Sequence, residues 1–343
     1  MEFTRNELIE IIDENNLKIS RELQSRAFSI REKFYGRSVY VRGLIEFSNY
    51  CRNDCYYCGI RCSNKNAKRY RLSKSEILEC CETGNSLGFK TFVLQGGEDL
   101  YYDDKCMCDI IYAIKTSFPK VAITLSIGER SHESYKSYFE AGADRFLLRH
   151  ETATASHYAL LHPPNLTLEN RKKCLYDLKE IGYQVGAGFM VGSPYQTAEN
   201  LADDLLFLEE LQPHMVGIGP FIPHIDTQFK NEKAGDLNLT LKMLSITRII
   251  LPQVLLPATT ALGTIAKDGR ERGFRAGANV VMPNLSPSAV RNAYSLYDNK
   301  LCTGDEAAES IKHLEKSIES EGFKLDFSRG DSKMTLKSTL NGG

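Results

Sequence analysis

The chain of 343 residues contains no tryptophan, almost no net charge and no long apolar run. With 43 Lys and Arg against 44 Asp and Glu, the formal charge is −1. No field of one sign is available to gather nucleic acid or a membrane surface, and neither is expected as a partner. "IILPQVLLPA", among the longest apolar stretches, is broken by Pro252 and Pro257. It falls well short of the roughly 20 residues that a bilayer span needs. The start, "MEFTRNELIEIIDENN", lacks the apolar core of a secretory signal, so the expectation is a cytoplasmic protein. Histidine is scarce too: seven residues with no H-x3-H pair, which excludes a metalloprotease-type zinc helix. Repeats and low-complexity linkers are missing, which argues against separable domains.

What is present is alternation. Short β-rich runs occur at 39–48, 90–95, 121–127, 145–150, 184–192, 215–221, 254–260 and 279–283, with amphipathic helical stretches between them. Ser73 followed by Glu76 is a capping box opening one helix, and Gly182 is suited to close another. Leu201, Leu205, Leu208 and Leu211 form one apolar helical face. Eight strands alternating with helices predict an α/β fold, a (β/α)8 TIM barrel, although an open doubly wound sheet shares the pattern. The expected layout is an N-terminal helical extension over 1–36, the barrel over 37–300, and a C-terminal helix and tail over 301–343. The polar tail, rich in Ser, Lys and Gly, is expected to fray.

Cysteine is not scarce. An unexported chain sits in a reducing compartment, so its ten cysteines point to metal binding, catalysis or burial rather than disulfides. Three of them fall within eight residues, in "CRNDCYYC": Cys51, Cys55 and Cys58. The segment follows the first β run, at the strand end where barrel enzymes build their sites. Structural zinc and ordinary [4Fe–4S] sites take four protein ligands. Three ligands on a four-iron cluster leave one iron open to bind and reduce a small molecule. A zinc site with Cys62 as fourth ligand is the competing arrangement, awkward because of its x3, x2, x3 spacing and because Arg61 adjoins Cys62. Tyr57 offers a ring to cover an adenine on the open side. The other cysteines read mostly as packing residues.

Further polar positions fall at strand ends. Gly96, Gly97 and Glu98 follow the second strand, where glycines permit close backbone approach to a ligand. "TLSIGER" supplies Thr124, Ser126 and Glu129. In "LLRHET", Arg149 and Glu151 alternate on a strand end and both can point inward, with His150 outward. A charge inside a barrel is costly unless paired or used on a ligand. Arg171 is either a partner for Glu151 or a carboxylate clamp. Arg42, inside an otherwise apolar strand, raises the same question, and Gln95 adds a neutral hydrogen-bonding group.

The arrangement Cx3CxφC, with φ aromatic, carried by Cys51, Cys55, Tyr57 and Cys58, resembles the signature of the radical SAM superfamily. Longer phrases, "RCSNKNAKRYRLS", "VLQGGEDLYY", "LLRHETA", "GIGPFIPHIDT", "LPATTALGT" and "GANVVMPNLSP", resemble the radical SAM maturases of [FeFe]-hydrogenase over about residues 35–300. Methylornithine synthase and biotin synthase belong to the same subgroup. The resemblance implies a [4Fe–4S] cluster whose open iron is chelated by S-adenosyl-L-methionine (SAM). Reductive cleavage of SAM then releases methionine and a 5′-deoxyadenosyl radical. It further implies that Tyr57, Gly96, Gly97, Glu98, Ser126, Glu151, Arg171, Met215 and Tyr294 hold SAM, Met215 packing near the adenine. Arg42, Gln95, Thr124, Arg149, Thr259 and Thr260 would line the substrate cavity. The substrate implied is a cysteine-bound iron carrying CO and cyanide, a precursor of the hydrogenase diiron centre. Implied partners are a reductant such as ferredoxin or flavodoxin, and other hydrogenase maturation proteins. An amino-acid mutase like methylornithine synthase is the alternative. Some family members bind a second cluster through three further cysteines near the C-terminus. Only Cys302 stands in that region here, so no second cluster is expected.

Overall fold

A computed structural model describes residues 3–14, 16–301 and 308–334. Two helices, α1 (Arg5–Asp13) and α2 (Leu17–Tyr35), precede the first strand pair, β1 (Ser38–Val41) and β2 (Gly43–Ser48). Then follow α3 (Lys74–Ser86), β3 (Thr91–Gly96), α4 (Asp104–Ser117), β4 (Ala122–Ser126), α5 (His132–Glu140) and β5 (Arg145–Leu147). Next are α6 (Ala155–Leu161), α7 (Leu168–Ile181), β6 (Gln184–Ala187), β7 (Met190–Val191), α8 (Ala198–Leu211), β8 (Met215–Val216) and β9 (Gly219–Pro220). The chain continues through α9 (Leu237–Ile250), α10 (Thr260–Ile265), α11 (Gly269–Arg275), β10 (Val280–Val281), α12 (Ser288–Arg291), α13 (Ile311–Ser320) and β11 (Lys324–Asp326).

The helices begin where the residue chemistry says they should. The hydroxyl of Ser73 accepts from the Glu76 amide while the Glu76 carboxylate accepts from the Ser73 amide, closing the capping box of α3. At the end of α7, Gly182 takes φ 108°, a left-handed geometry that costs a glycine little.

Strands β2, β3, β4, β5, β6 and β8 pair in parallel in that order. Single bridges then carry the ring onward: Met215 to Leu255, Pro257 to Val280, and β10 to β1 through Tyr40–Val280 and Val41–Val281. The sheet therefore closes on itself as a barrel of eight parallel staves, with 38–48 and 255–257 each counted as one. The open-sheet alternative is excluded, since no free edge separates the last stave from the first.

Period-two alternation sorts the staves. Ile45, Phe47, Phe92, Leu94, Ile123, Leu125 and Phe146 face outward into the layer beneath the helices, with almost no exposure. Each such side chain contributes about 2–3 kcal/mol by leaving water. Leu44, Glu46, Gln95, Leu147 and Arg149 face the lumen instead. Helices α1 and α2 lie outside the ring against α8 and α9.

The C-terminal segment departs from the expectation of a fraying tail as far as residue 334. Strand β11 pairs in parallel with β1, Ser38 opposite Lys324 and Tyr40 opposite Asp326. Residues 327–334 then cross the bottom of the barrel. Asp331 accepts from Arg145 at 2.6 Å and from Gln184 at 2.9 Å, while Arg329 reaches Asp144 at 3.1 Å. Charged strand ends that no local neighbour satisfies are what order this polar segment. Residues 335–343 lie outside the described chain, as does Cys302, on which the expectation about a second cluster turned.

Candidate active site

The cysteine loop leaves β2 at the top of the barrel and is held by arginines. Arg69 donates to the carbonyls of Ile60 at 2.9 Å and Arg61 at 2.6 Å. Asp54 accepts from Arg61 at 2.6 and 2.7 Å and from the Ser63 hydroxyl at 2.7 Å. The Arg61 guanidinium thereby holds the Asp54 carboxyl well below the usual carboxylate range. The Tyr56 amide donates to the Leu161 carbonyl and the Gly59 amide to that of Leu296, so α6 and the segment after α12 both grip the loop.

The loop after β3 presses on it from the other side. A Cβ on Gly97 would stand 2.2 Å from the Tyr50 carbonyl oxygen and 2.8 Å from the Cys51 Cβ, so only glycine fits there. Glu98 is buried: one carboxylate oxygen accepts from the Glu129 amide at 2.9 Å and the other from Arg52 at 3.0 Å. Its carboxylate braces the two loops while the residue also lines the cavity of the upper barrel.

Cys51, Cys55, Cys58 and Tyr57 line one cavity of about 390 Å³ in the upper barrel. Gly96, Gly97, Glu98, Gln95, Arg149, Glu151, Arg171, Thr259, Thr260 and Tyr294 share its wall. Tyr57 is oriented through its hydroxyl. His162 Nδ1 donates to the Tyr158 carbonyl at 3.0 Å, which leaves Nε2 to accept from Tyr57 at 3.2 Å. Burial pulls His162 down to about 3, keeping it neutral, and pushes the Tyr57 phenol up.

Two ion pairs stand across the cavity. Arg149 and Glu151 approach to 2.9 Å, but Arg149 Nε and Nη2 and Glu151 Oε2 form no hydrogen bond within the protein. The charges are close without being aligned, and buried atoms in that condition are ready to bind a ligand. Glu151 holds φ 67°, a left-handed geometry that a non-glycine residue keeps only when its surroundings enforce it. Its amide donates to the Gly188 carbonyl and its carbonyl accepts from Met190, which lock the turn. Arg171 pairs with Glu129 at 2.5 Å and donates to the Arg149 carbonyl at 2.7 Å. The sequence had offered Arg171 as a partner for Glu151; Arg171 pairs with Glu129 instead, and Glu151 faces Arg149.

Several expected residues stand elsewhere. Arg42, Thr124 and Met215 surround a second cavity of about 10 Å³ below the first, with Leu147 between the two. That space holds about one water, neither an adenine nor an iron complex. Arg42 is fully buried, with Nη1 2.9 Å from the Met215 sulfur; burial pushes its guanidinium well down. Arg42 and Thr124 face inward but, like Met215, lie a layer below the upper cavity. Ser126 sits beside Gln95 in register but outside the cavity wall.

Glu46 and Lys300 were missed. Glu46 is wholly buried, accepting from Lys300 at 2.5 Å and Asn284 at 2.8 Å, and both Glu46 and Lys300 line the cavity. A carboxylate two and four positions beyond Leu44 and Arg42 on one stave was the available signal.

Burial pushes the Cys51 and Cys55 thiols up, and Cys58 to about 12, so positive charge from a metal is what would ionise them. Among the described residues, no three His, Cys, Asp or Glu converge on a point that one ion could occupy. A zinc ion would hold its sulfurs within about 4 Å of each other. Three thiols in one cavity wall suit a cubane, which takes each on a different iron. Cys62 is exposed and outside the cavity wall. The residues fit a three-cysteine cluster.

A family model, "Radical SAM superfamily", matches residues 45–208. A crystal structure of methylornithine synthase superposes with a TM-score of 0.83 at 28% identity, over 94% of each chain. The 3-methylornithine synthase of Methanosarcina barkeri is 28% identical over 94% of this chain and 90% of its own. The [FeFe] hydrogenase maturase subunit HydE of Thermotoga maritima is 50% identical over 94% of this chain and 92% of its own. This chain belongs to the HydE family of radical SAM enzymes. The family brings a [4Fe–4S] cluster and SAM as cofactors, a small-molecule substrate and a reductant. No helix among the described residues is long and apolar enough to cross a membrane.

Proposed function

We propose that the chain acts in [FeFe]-hydrogenase maturation on a cysteine-bound iron complex carrying CO and cyanide, in the upper cavity. The observation that carries this reading is one wall: Cys51, Cys55 and Cys58 face the same enclosed space as the incompletely bonded Arg149 and Glu151. Cys51, Cys55 and Cys58 would hold the cluster. When bound, the cluster with SAM supplies one-electron cleavage of a sulfonium, the source of a 5′-deoxyadenosyl radical. Glu151 and Arg171 supply fixed charges for polar groups of SAM, and Tyr57 and Tyr294 supply ring faces beside it. Gly96 and Gly97 let the backbone approach closely. Arg149, Gln95, Thr259 and Thr260 remain for the substrate, with Thr259 Oγ1 buried and without a protein partner.

Partners fitting this reading are a low-potential electron carrier and the other maturation proteins that supply the iron complex and receive the product. The identity to HydE, 50% against 28% for the methylornithine synthase, favours the maturase over an amino-acid mutase. Deletion of the gene tests it: hydrogenase polypeptide is expected to accumulate in an inactive form. Active hydrogenase in the deletion strain overturns the assignment, and isomerisation of lysine by the reduced protein would select the mutase.

A further inference from the structure

Glu151 faces the cavity from a left-handed turn, and the residues around it are tied to one buried side chain, that of Asp204. Asp204 Oδ1 accepts from the Ala153 amide at 2.5 Å. The same oxygen stands 3.2 Å from His150 Nε2, without an aligned hydrogen bond. On its other edge, His150 Nδ1 accepts from the Gly188 amide at 3.4 Å, while the Gly188 carbonyl accepts from the Glu151 amide at 3.0 Å. Gly188 is pressed in turn on Gly217, since a Cβ on it would stand 2.1 Å from the Gly217 carbonyl oxygen. Glu151 is therefore bracketed by His150 before it, Ala153 after it and a closely packed strand end behind it.

Asp204 is out of keeping with its place. It lies on the face of α8 that carries Leu201, Leu205, Leu208 and Leu211, and like His150 it has no exposure. Its Oδ2 has no protein partner, and the Lys172 ammonium nearby donates to the Ala153 carbonyl at 3.3 Å. A leucine at this position would fill the same face without the cost of burying a carboxyl short of hydrogen bonds. Burial pushes the Asp204 carboxyl well up. Burial, with Arg149, Lys172 and Arg171 close by, pushes the His150 imidazolium well down, so both groups stand neutral. With Nδ1 accepting, the imidazole hydrogen sits on Nε2 and faces Oδ1.

A costly polar pair whose contacts go to the turn around Glu151 acts on that turn. Resting on the reading that Glu151 contacts SAM, we propose that Asp204 and His150 are positioning residues that hold Glu151 in the left-handed geometry presenting its carboxylate to SAM. Neither lines the cavity, so both act through Glu151 and touch no ligand themselves.

The test is a double-mutant cycle on reconstituted holoenzyme, with SAM affinity read from the cluster's absorbance. Asp204→Leu is expected to weaken SAM binding about tenfold with iron content retained, and to add nothing in a protein already carrying Glu151→Gln. Asp204→Asn keeps a neutral oxygen for the Ala153 amide and is expected to bind SAM within about twofold of the unaltered protein. His150→Phe keeps the edge-on packing against the Phe207 ring at 4.9 Å and removes both nitrogens. It is expected to follow Asp204→Leu, and it carries the cycle if that variant loses its fold. Unchanged affinity in Asp204→Leu and His150→Phe overturns the proposal. So does a loss that multiplies with that of Glu151→Gln, which marks general damage to the barrel, or an asparagine as harmful as leucine. If Glu151→Gln alone leaves SAM affinity unaltered, the assignment of Glu151 to SAM falls and this proposal with it. A loss there without one at Asp204 and His150 sinks the positioning role alone.

Discussion

Arg145 and Arg149 stand four residues apart on one stave, both pointing into the barrel, and they live in opposite conditions. Arg145, at the bottom, donates to Asp331 at 2.6 Å, to the Arg329 carbonyl at 2.7 Å and to Thr91 at 3.0 Å. Arg149, at the top, faces Glu151 without an aligned hydrogen bond. The same residue type at the same inward register is structural at one end and available at the other. The C-terminal segment makes the difference: it supplies oxygens to the lower layer and none to the upper. What separates the ends is room: the lower layer encloses space for about one water, while the upper cavity of about 390 Å³ admits a ligand.

Variants at the two ends separate these roles. Cys55→Ala has the largest expected effect: reconstituted protein holds almost no iron, while far-UV circular dichroism matches that of the unaltered apo-protein. Retention of a full cluster would remove Cys55 from the ligand set. Arg145→Met works at the other end. It leaves Asp331 and the segment around it short of a partner, at a cost of about 2–3 kcal/mol after allowance for the half-exposed carboxylate. Urea denaturation is expected to show that loss while titration with SAM is unaffected. A fall in SAM affinity with unchanged stability would erase the distinction between the two layers.

Glu151→Gln keeps shape and removes charge at the top. SAM binding, followed by the cluster's absorbance, is expected to weaken about tenfold, or about 1.4 kcal/mol, with iron content and stability unchanged. Unaltered affinity would mean that the orphaned carboxylate oxygen serves the substrate or nothing. Acidification gives the smallest effect. His214 accepts from the Val185 amide through Nδ1 at 3.1 Å, and burial lowers it from 6.5 to about 4. The unfolded chain takes up this proton first, so the contribution is complete above pH 6.5 and is lost as pH falls toward 4. Lowering pH from 6.5 to 5.5 should cost about 1 kcal/mol through His214, a share of the slope that His214→Gln removes while buried His150, His157 and His162 keep theirs.

The legible parts of the molecule were those written in local chemistry. The Ser73–Glu76 capping box, the Gly182 helix end and the β runs depend on neighbours within a few residues. The cysteine loop was equally readable, because a three-thiol site within eight residues is a short-range pattern. Depth along the barrel was not readable. Alternation says that Arg42 and Thr124 face inward, but height on a stave depends on the stagger between strands far apart in sequence. Partner choice was hidden for the same reason: Glu129 and Arg149 competed for roles that only packing could assign. Glu46 and Lys300, 254 residues apart, met only on folding.

Residue order alone determined the alternation of strand and helix, the strand end that carries the thiols and the resemblance that points to a SAM-cleaving enzyme, because each is set by contacts short in sequence. Tertiary structure decided which inward charges are spent on the fold and which stay open to a ligand. That division rests on the long-range arrival of residues 324–334 beneath the barrel, where Asp331 pairs with Arg145, and on their absence above, where Arg149 and Glu151 face each other without an aligned hydrogen bond.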